Sequence, residues 1–190
     1  MDKVSHGDLP DINELVQSLR ENSRALSPQE FMAAGSHGQA IPGLYSWWVD
    51  VDGARELSRG LGLPINSGMI YAGLAGATRW PSGKKSSNTL WLRITTMHLG
   101  SNHDLSTFRH TLGAILASAE GRTDVNEVGL SQWMHAHLRV ITVPFVDADS
   151  LGKLEKDVLT ELDPPFNLMG MMKTPIRRQI TILRRSVKEN

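Results

Sequence analysis

The sequence contains no cysteine and only two tyrosines, and its positive and negative charges cancel. Without cysteine the chain forms no disulfide, no thiolate metal site and no cysteine nucleophile. No apolar run approaches the roughly 18 residues that a membrane span requires. The first ten residues are polar and lack the apolar segment of a secretory signal, so we expect a cytoplasmic protein without membrane contact.

The remaining composition is that of a folded protein. Of the 190 residues, 40% are hydrophobic and 21% are charged, which excludes a disordered chain. This length suits one ordinary domain, or one domain with an appendage. The sum of charges by itself argues against a nucleic-acid partner, but the distribution of charge carries more information than its sum.

Charge is distributed unevenly along the chain. Residues 1–34 have six acidic and three basic side chains and carry −3, whereas residues 173–190 have six basic side chains against Glu189 and carry +5. A basic segment of this kind is either a solvated face or a contact with a phosphate backbone. The segment alone does not decide between these two interpretations.

The hydrophobic pattern predicts a mixed domain. Short β-rich runs at residues 43–49, 69–73 and 139–143 predict three strands, and the first two are expected to be antiparallel neighbours. Helical spacing is found over residues 10–23, 88–99, 104–119, 130–138 and 149–162. We therefore expect an α/β (α+β) fold with a small three-stranded antiparallel sheet flanked by helices. Its expected parts are an N-terminal helical extension (1–36), a central domain (37–172) and a basic tail (173–190), which could be helix or strand.

The helix expected over residues 149–162 has one acid within its apolar stripe. The stripe consists of Leu151, Leu154, Val158, Leu159 and Leu162. Glu155 lies at helical spacing from four of these residues, and a buried carboxylate must be paired, protonated or bound to a metal. Glu155 is therefore either an edge residue that reaches solvent or an arginine, or a metal ligand or general base.

Two arginines also lie on the inward faces of predicted helices. Arg93 is at helical spacing from Leu90 and Met97, and Arg109 from Leu105 and Leu112. Because arginine is always charged, each needs a carboxylate, carbonyl groups or a ligand phosphate. Pairing within the fold and phosphate binding both satisfy this requirement.

Both tyrosines lie in predicted strands beside a glycine. They form the tripeptides Gly43-Leu44-Tyr45 and Tyr71-Ala72-Gly73. Each tyrosine could simply pack in a core. Together with an inward carboxylate and inward arginines, however, they suit phosphodiester hydrolysis with a single metal ion.

The order of these motifs resembles the GIY-YIG nuclease superfamily. Gly-Leu-Tyr and Tyr-Ala-Gly are followed by a helical arginine, a helical glutamate, and the turn Asp163-Pro-Pro-Phe-Asn167. The segments around Arg93, His98 and Ser106–Arg109 are similar to an uncharacterised bacterial subgroup. Leu44 and Ala72 replace the isoleucines of the family pattern, and 25 residues separate the two tyrosines.

The resemblance implies a role for each motif residue. Glu155 would bind a divalent metal ion, Mg²⁺ or Mn²⁺. Arg93 would stabilise charge on the scissile phosphate, and Tyr45 would activate or orient the attacking water, directly or as part of a base. Tyr71 would position the phosphate or the water, and Asn167 would brace the site through hydrogen bonds.

In a restriction-enzyme branch of the family, a histidine one turn after the arginine assists catalysis, and His98 is the candidate here. His98 follows Arg93 by five residues. On a regular α-helix this spacing turns it away from the arginine by about 140°. We therefore expect its side chain to point elsewhere.

The resemblance implies a metal-dependent DNA endonuclease, whereas the neutral charge favours a non-catalytic module that binds nucleic acid or another protein. The expected DNA contacts are Lys84, Lys85, Arg109, Arg177, Arg178, Arg184 and Arg185. Since neutrality predicts weak non-specific affinity for DNA, a homodimer, a partner protein or a structured substrate would have to raise it.

Overall fold

The structure is a computed structural model that describes residues 11–79 and 81–187. Its helices are α1 (Ile12–Arg20), α2 (Pro28–Ala34), α3 (Val51–Leu61), α4 (Leu90–Leu92), α5 (Thr107–Ala119), α6 (Glu127–His137), α7 (Ala148–Leu162) and α8 (Pro175–Ser186). A π-helical segment, Arg93–His98, continues α4, and 3₁₀ turns form at Asn22–Arg24 and His103–Leu105. The tail that could be helix or strand is therefore helical up to Ser186.

Within the described ranges, three strands form one antiparallel sheet. They are β1 (Gly43–Val49), β2 (Gly68–Ala75) and β3 (Leu138–Pro144), and β1 lies between the other two. Tyr45 pairs with Gly73 on one side and with Thr142 on the other. This arrangement confirms the predicted three-stranded antiparallel sheet flanked by helices.

Several helix boundaries follow from residues that satisfy free backbone groups. At the start of α2, the Ser27 hydroxyl accepts from the Glu30 amide while the Glu30 carboxylate accepts from the Ser27 amide, which satisfies two donors at once. Gly62 ends α3 in the left-handed conformation, which glycine adopts without a steric penalty. The termini of these helices are therefore set by local sequence.

The sheet separates two hydrophobic layers. Tyr45 and Trp47 face the layer built mainly from α3, α5, α6 and α8, whereas Leu44 faces the layer built from α1 and α7. Alternating side chains of a strand point to opposite faces, so β1 contributes to both layers. The site described below lies where β1, β2 and helices of both layers meet.

None of the helices in the described ranges is long and apolar enough to cross a membrane.

Candidate active site

A cleft of about 800 Å³ opens beside the first two strands. Five residues singled out from the sequence line it, and they come from five separate stretches of chain: Tyr45, Tyr71, Arg93, Glu155 and Asn167. These residues are up to 122 positions apart in sequence. The fold therefore brings the motif residues together in one open, partly polar space.

The two tyrosines are placed by the pairing of β1 with β2. The Tyr45 ring lies over Gly73, and a Cβ atom at position 73 would come within 2.6 Å of the Tyr45 hydroxyl. The Tyr71 ring stacks on Phe108 at a centroid distance of 4.7 Å, which fixes its orientation. The glycine of the second motif thus provides the space that the tyrosine of the first motif occupies.

Tyr45 is buried at the base of the cleft. Burial raises the pKa of its phenol well above the ordinary value, and the nearby Tyr71 acts in the same direction, while Arg93 opposes both. At neutral pH Tyr45 is consequently an uncharged phenol that can position a partner through hydrogen bonds.

The π-helical segment decides where His98 points, and it corrects the expectation that His98 turns away. The Leu99 amide donates to the Ile94 carbonyl at 2.9 Å, a bond that spans five residues rather than four. Residues five apart are then about one turn apart and share a face. His98 therefore reaches Tyr45, and its Nε2 lies 2.8 Å from the Tyr45 hydroxyl oxygen.

His98 is held as a neutral ring. Its side chain is buried among Trp47, Tyr71 and Phe108, whose rings it meets edge to face. Loss of water, together with the positive charge of Arg93, lowers the pKa of His98 to about 3. Protonating it at pH 7 would cost about 5 kcal/mol, so it is a poor proton acceptor.

The hydrogen bonds of Ser106 indicate which ring nitrogen of His98 carries the hydrogen. Its hydroxyl accepts from the Arg109 amide at 3.1 Å, and its other partner among the described residues is Nδ1 of His98, at 2.6 Å. We infer that Ser106 donates its hydrogen to Nδ1, which leaves the ring hydrogen on Nε2. His98 then donates to the Tyr45 oxygen, and the Tyr45 hydroxyl is left to donate toward the Tyr71 side chain, which lines the cleft.

Arg93 reaches the cleft from the first residue of the π-helical segment. Its Nε is buried and has no hydrogen-bond partner within the described part of the chain. A buried donor without a partner is costly and is expected to bind a ligand that accepts hydrogen bonds. Of the two possibilities that the sequence left open, this geometry favours a phosphate over a partner within the fold.

Glu155 lies at the edge of the apolar stripe rather than inside it. Leu151, Leu154 and Val158 are buried, whereas Glu155 is exposed and lines the cleft. The cleft walls remove part of the water around its carboxylate and raise the pKa of Glu155, while Arg79 and Arg93 oppose this shift. It is the only acidic side chain among the described residues that line the cleft.

Asn167 connects the end of α7 to β2. Its side chain accepts from the Ala72 amide at 3.1 Å and donates to the Ala72 carbonyl at 2.8 Å. Because β2 is an edge strand, these two bonds satisfy backbone groups that a neighbouring strand would otherwise pair with. Ala72 is the residue between Tyr71 and Gly73. This pair of bonds therefore fixes the backbone of the second motif.

A family model for the GIY-YIG catalytic domain matches residues 43–186. This chain belongs to the GIY-YIG family. The match confirms the resemblance seen in the sequence and supports nuclease activity as the general function of the domain. No curated protein and no solved structure matches the chain significantly.

Two further cations line the cleft of this GIY-YIG domain. Arg184 extends from α8, is half-buried, and has its pKa lowered by loss of water. Arg79 lies in the loop after β2 and is exposed. Arg184 is one of the seven basic residues expected to contact DNA. Arg79 was not predicted, because a Gly- and Ser-rich sequence does not show in which direction a loop side chain points.

Two of the expected DNA contacts are corrected, because they are buried in the GIY-YIG fold. The Arg109 guanidinium is fully buried and donates to the Glu127 carboxylate at 2.6 and 2.9 Å. Arg177 is also buried and donates to Asp163 at 2.6 Å and to three backbone carbonyls. Neither guanidinium is accessible to nucleic acid. Arg109 follows the alternative of pairing within the fold, whereas Arg177 is neither on a solvated face nor a DNA contact.

The remaining expected contacts lie on the surface outside the cleft. Lys84, Lys85, Arg178 and Arg185 are exposed and do not line it. Sequence analysis also missed the contact between Ser106 and His98. The position of Ser106 before a helical run is a signal for an N-cap, but its second partner depends on the tertiary fold.

Proposed function

We propose that this protein is a divalent-metal-dependent endonuclease that hydrolyses phosphodiester bonds of DNA. One observation carries the proposal: two tyrosines, an arginine with a free buried donor, and a single carboxylate converge on one cleft. Family membership supports nuclease chemistry in general. The choice of DNA, the metal and the role of each residue are our proposals.

The cleft suits a polyanion. Among the described residues that line it, Arg79, Arg93 and Arg184 contribute three positive charges against the one negative charge of Glu155. Arginine binds phosphate through several donors of fixed geometry. We propose that Arg93 contacts the scissile phosphate and stabilises the charge that develops on it, while Arg79 and Arg184 contact neighbouring phosphates.

The donor set suits a weakly held Mg²⁺ or Mn²⁺ ion. Among the described residues no group of three acidic or histidine side chains could enclose a metal, but Glu155 offers one exposed carboxylate to the cleft. Mg²⁺ commonly binds through one or two carboxylates together with water and substrate phosphates. When bound at Glu155, the ion would neutralise charge on the phosphate.

Hydrolysis joins a water oxygen to phosphorus and breaks the bond from phosphorus to the leaving sugar oxygen. The attacking water loses a proton to solvent, and the leaving oxygen gains one from solvent. We propose that Tyr45, fixed by His98, orients the attacking water from the base of the cleft. Tyr71 positions the phosphate, and Asn167 keeps the second motif in place through Ala72. His98 keeps its neutral form throughout, because its pKa of about 3 excludes it as the base.

We propose that the protein acts in a bacterial cytoplasm. Its formal charge of zero supports a further proposal, that a second copy or a partner protein raises its affinity for DNA. A polyanion attracts a neutral protein only through local positive patches, and the cleft is one such patch.

The test is the substitution Glu155→Gln, which keeps the size of the side chain and removes its charge. Purified protein with Mg²⁺ should cleave DNA, and the variant should be at least roughly 100-fold slower because the metal loses its protein ligand. Glu161→Gln is the matched control, since Glu161 is exposed on the same helix and does not line the cleft. Plasmid nicking, with RNA as a second substrate, measures the rates.

Cleavage by Glu155→Gln at the wild-type rate would contradict the proposal. Binding of DNA that needs neither Mg²⁺ nor Glu155, without any cleavage, would favour the non-catalytic module that the neutral charge suggests.

A further inference from the structure

A short apolar loop stands at the rim of the cleft. We call residues 168–172, with the sequence Leu-Met-Gly-Met-Met, the methionine loop. Met169 and Met172 are 94% and 83% exposed, and Leu168 and Met169 line the cleft. An apolar surface therefore continues directly from the site that the proposed function assigns to a phosphate backbone.

The exposure of the methionine loop is fixed by the fold. The buried Arg177 donates to the Asn167 carbonyl before the loop at 2.8 Å and to the Met172 carbonyl at its end at 2.9 Å. Within the loop, the Met171 amide donates to the Leu168 carbonyl, and Gly170 adopts a φ of 75° that suits a tight turn. The Arg177 guanidinium thus fixes both ends of the methionine loop, and the Met169 side chain is exposed at its turn.

The surroundings of the methionine loop indicate what covers it. A single exposed apolar side chain is ordinary, but here two methionines on a fixed loop adjoin a cleft with three arginines. A ligand that fills both surfaces has phosphates on one side and flat apolar groups on the other. A nucleic-acid strand has this composition, because its bases lie beside its charged backbone.

We propose that Met169 enters the base stack next to the phosphate held in the cleft, with Met172 beside it. This inference rests on the proposed function and extends it to a substrate class. Methionine is among the side chains that proteins insert between base steps, and insertion costs the unstacking of that step. The preferred substrates are therefore DNAs whose stack opens easily, such as nicked, gapped, branched or mismatched duplexes.

The experiment measures binding by full-length Glu155→Gln protein, which should cut its substrate too slowly to disturb the measurement. The probes are a gapped duplex and a fully paired duplex, each with 2-aminopurine beside the expected cleavage position. We expect tighter binding to the gapped probe, accompanied by a rise in 2-aminopurine fluorescence as the base unstacks. Adding Met169→Ala and Met172→Ala together should weaken binding to the gapped probe about tenfold and remove the fluorescence rise.

Two further variants separate insertion from a general loss of structure. Met169→Leu should keep most of the effect, because leucine is also an apolar wedge. Met32→Ala is the matched control, since Met32 is a partly exposed methionine that does not line the cleft, and it should bind like the parent protein.

Three outcomes would overturn the inference. If the double variant equals its parent on both probes, the methionine loop does not touch bases, although cleavage by the wild-type protein would leave the proposed function intact. If the double variant instead changes only the oligomeric state in solution, the loop binds protein. If the parent protein shows no salt-sensitive binding to either probe and the wild type cuts neither, the inference and the proposed function both fail.

Discussion

At the scale of the residue, His98 couples the cleft to the stability of the fold. In the tautomer inferred above it accepts a hydrogen bond from Ser106 and donates one to Tyr45, and it is surrounded by aromatic rings. These contacts suit only the neutral ring. The unfolded chain has no such restriction, so the two states bind protons differently below neutral pH.

This difference predicts a loss of stability in mild acid. The folded pKa of about 3 lies below the ordinary value of 6.5, so the unfolded state binds more protons in this interval and stability falls as the pH drops through it. From pH 7 to pH 5, His98 should contribute a loss of about 2 kcal/mol in the free energy of unfolding. Urea denaturation at both values measures it.

The variant His98→Asn should show about 2 kcal/mol less loss over the same interval. His110, whose pKa burial also lowers, accounts for part of the slope that remains. His37→Asn, at an exposed position, is the control and should keep the wild-type slope. An unchanged slope in His98→Asn would show that the ring is not held neutral.

The motif residues could be found from sequence because their order and types are distinctive. Whether each of these side chains is buried or exposed, and what it contacts, could not be predicted from their order and types. Glu155 and Arg109 have the same helical spacing to apolar residues, yet Glu155 opens to the cleft and Arg109 is enclosed by Glu127. Helical periodicity gives the direction of a side chain, but not whether a neighbouring element covers that direction.

At the scale of the element, the π-helical segment has the largest influence on the site. Five residues separate Arg93 from His98, and an α-helix would direct them to different sides. The wider turn brings Arg93 to the cleft and His98 to the Tyr45 hydroxyl at the base of the cleft. The hydrophobic periodicity of residues 88–99 predicts a helix here. It cannot indicate a π-helical turn, because the extra residue in such a turn has no characteristic amino-acid type.

Deleting Thr96 tests this interpretation. Thr96 is exposed, and its removal leaves a four-residue spacing. An ordinary α-helix can accommodate this spacing with Arg93 at the cleft and His98 against Tyr45. We expect the deletion to cost less than about 1.5 kcal/mol in the free energy of unfolding and to retain DNA cleavage. Chemical denaturation and the nicking assay provide both measurements.

The control is deletion of the exposed Arg59 in α3, which turns the buried Leu61 by about 100° and should cost more than about 4 kcal/mol. Equal costs for the two deletions would mean that the π turn has no special tolerance.

Helix α8 combines structural and functional arginines on one element. Arg177→Ala should lower the free energy of unfolding by about 3 kcal/mol, because three backbone carbonyls and Asp163 lose their donor. Arg178→Ala changes the exposed neighbour and should remain within about 0.5 kcal/mol of wild type. A normal stability for Arg177→Ala in a denaturation experiment would restore it as a candidate DNA contact.

At the scale of the whole molecule, neutrality conceals a local positive charge. The chain has 20 basic and 20 acidic residues, but the cleft carries three arginines and one glutamate. Of the six basic residues between 173 and 190, Arg177 is buried and Arg184 lines the cleft. The acidic and basic segments could be recognised in the sequence. Which arginine of the basic segment is buried and which one lines the cleft depends on the face of α8 that packs against α5.

Salt dependence of DNA binding measures the number of phosphates contacted. For the Glu155→Gln protein, the logarithm of the association constant should fall with the logarithm of salt concentration with a slope of about −3, one unit for each cleft arginine. Arg184→Met should reduce the slope by about one. Arg55→Met, at an exposed position paired with Asp52 outside the cleft, should leave it unchanged, and a reduction equal to that of Arg184→Met would contradict the assignment.

The contact between Tyr45 and Gly73 has a consequence for engineering of this domain. A methyl group at position 73 would overlap the Tyr45 phenol. The side chains at positions 45 and 73 therefore share one space, and one can grow only if the other becomes smaller. A library that randomises position 73 alone should return mainly poorly folded clones. Diversifying both together, with a smaller ring or chain at 45 whenever 73 gains a side chain, samples the combinations that the sheet can accommodate.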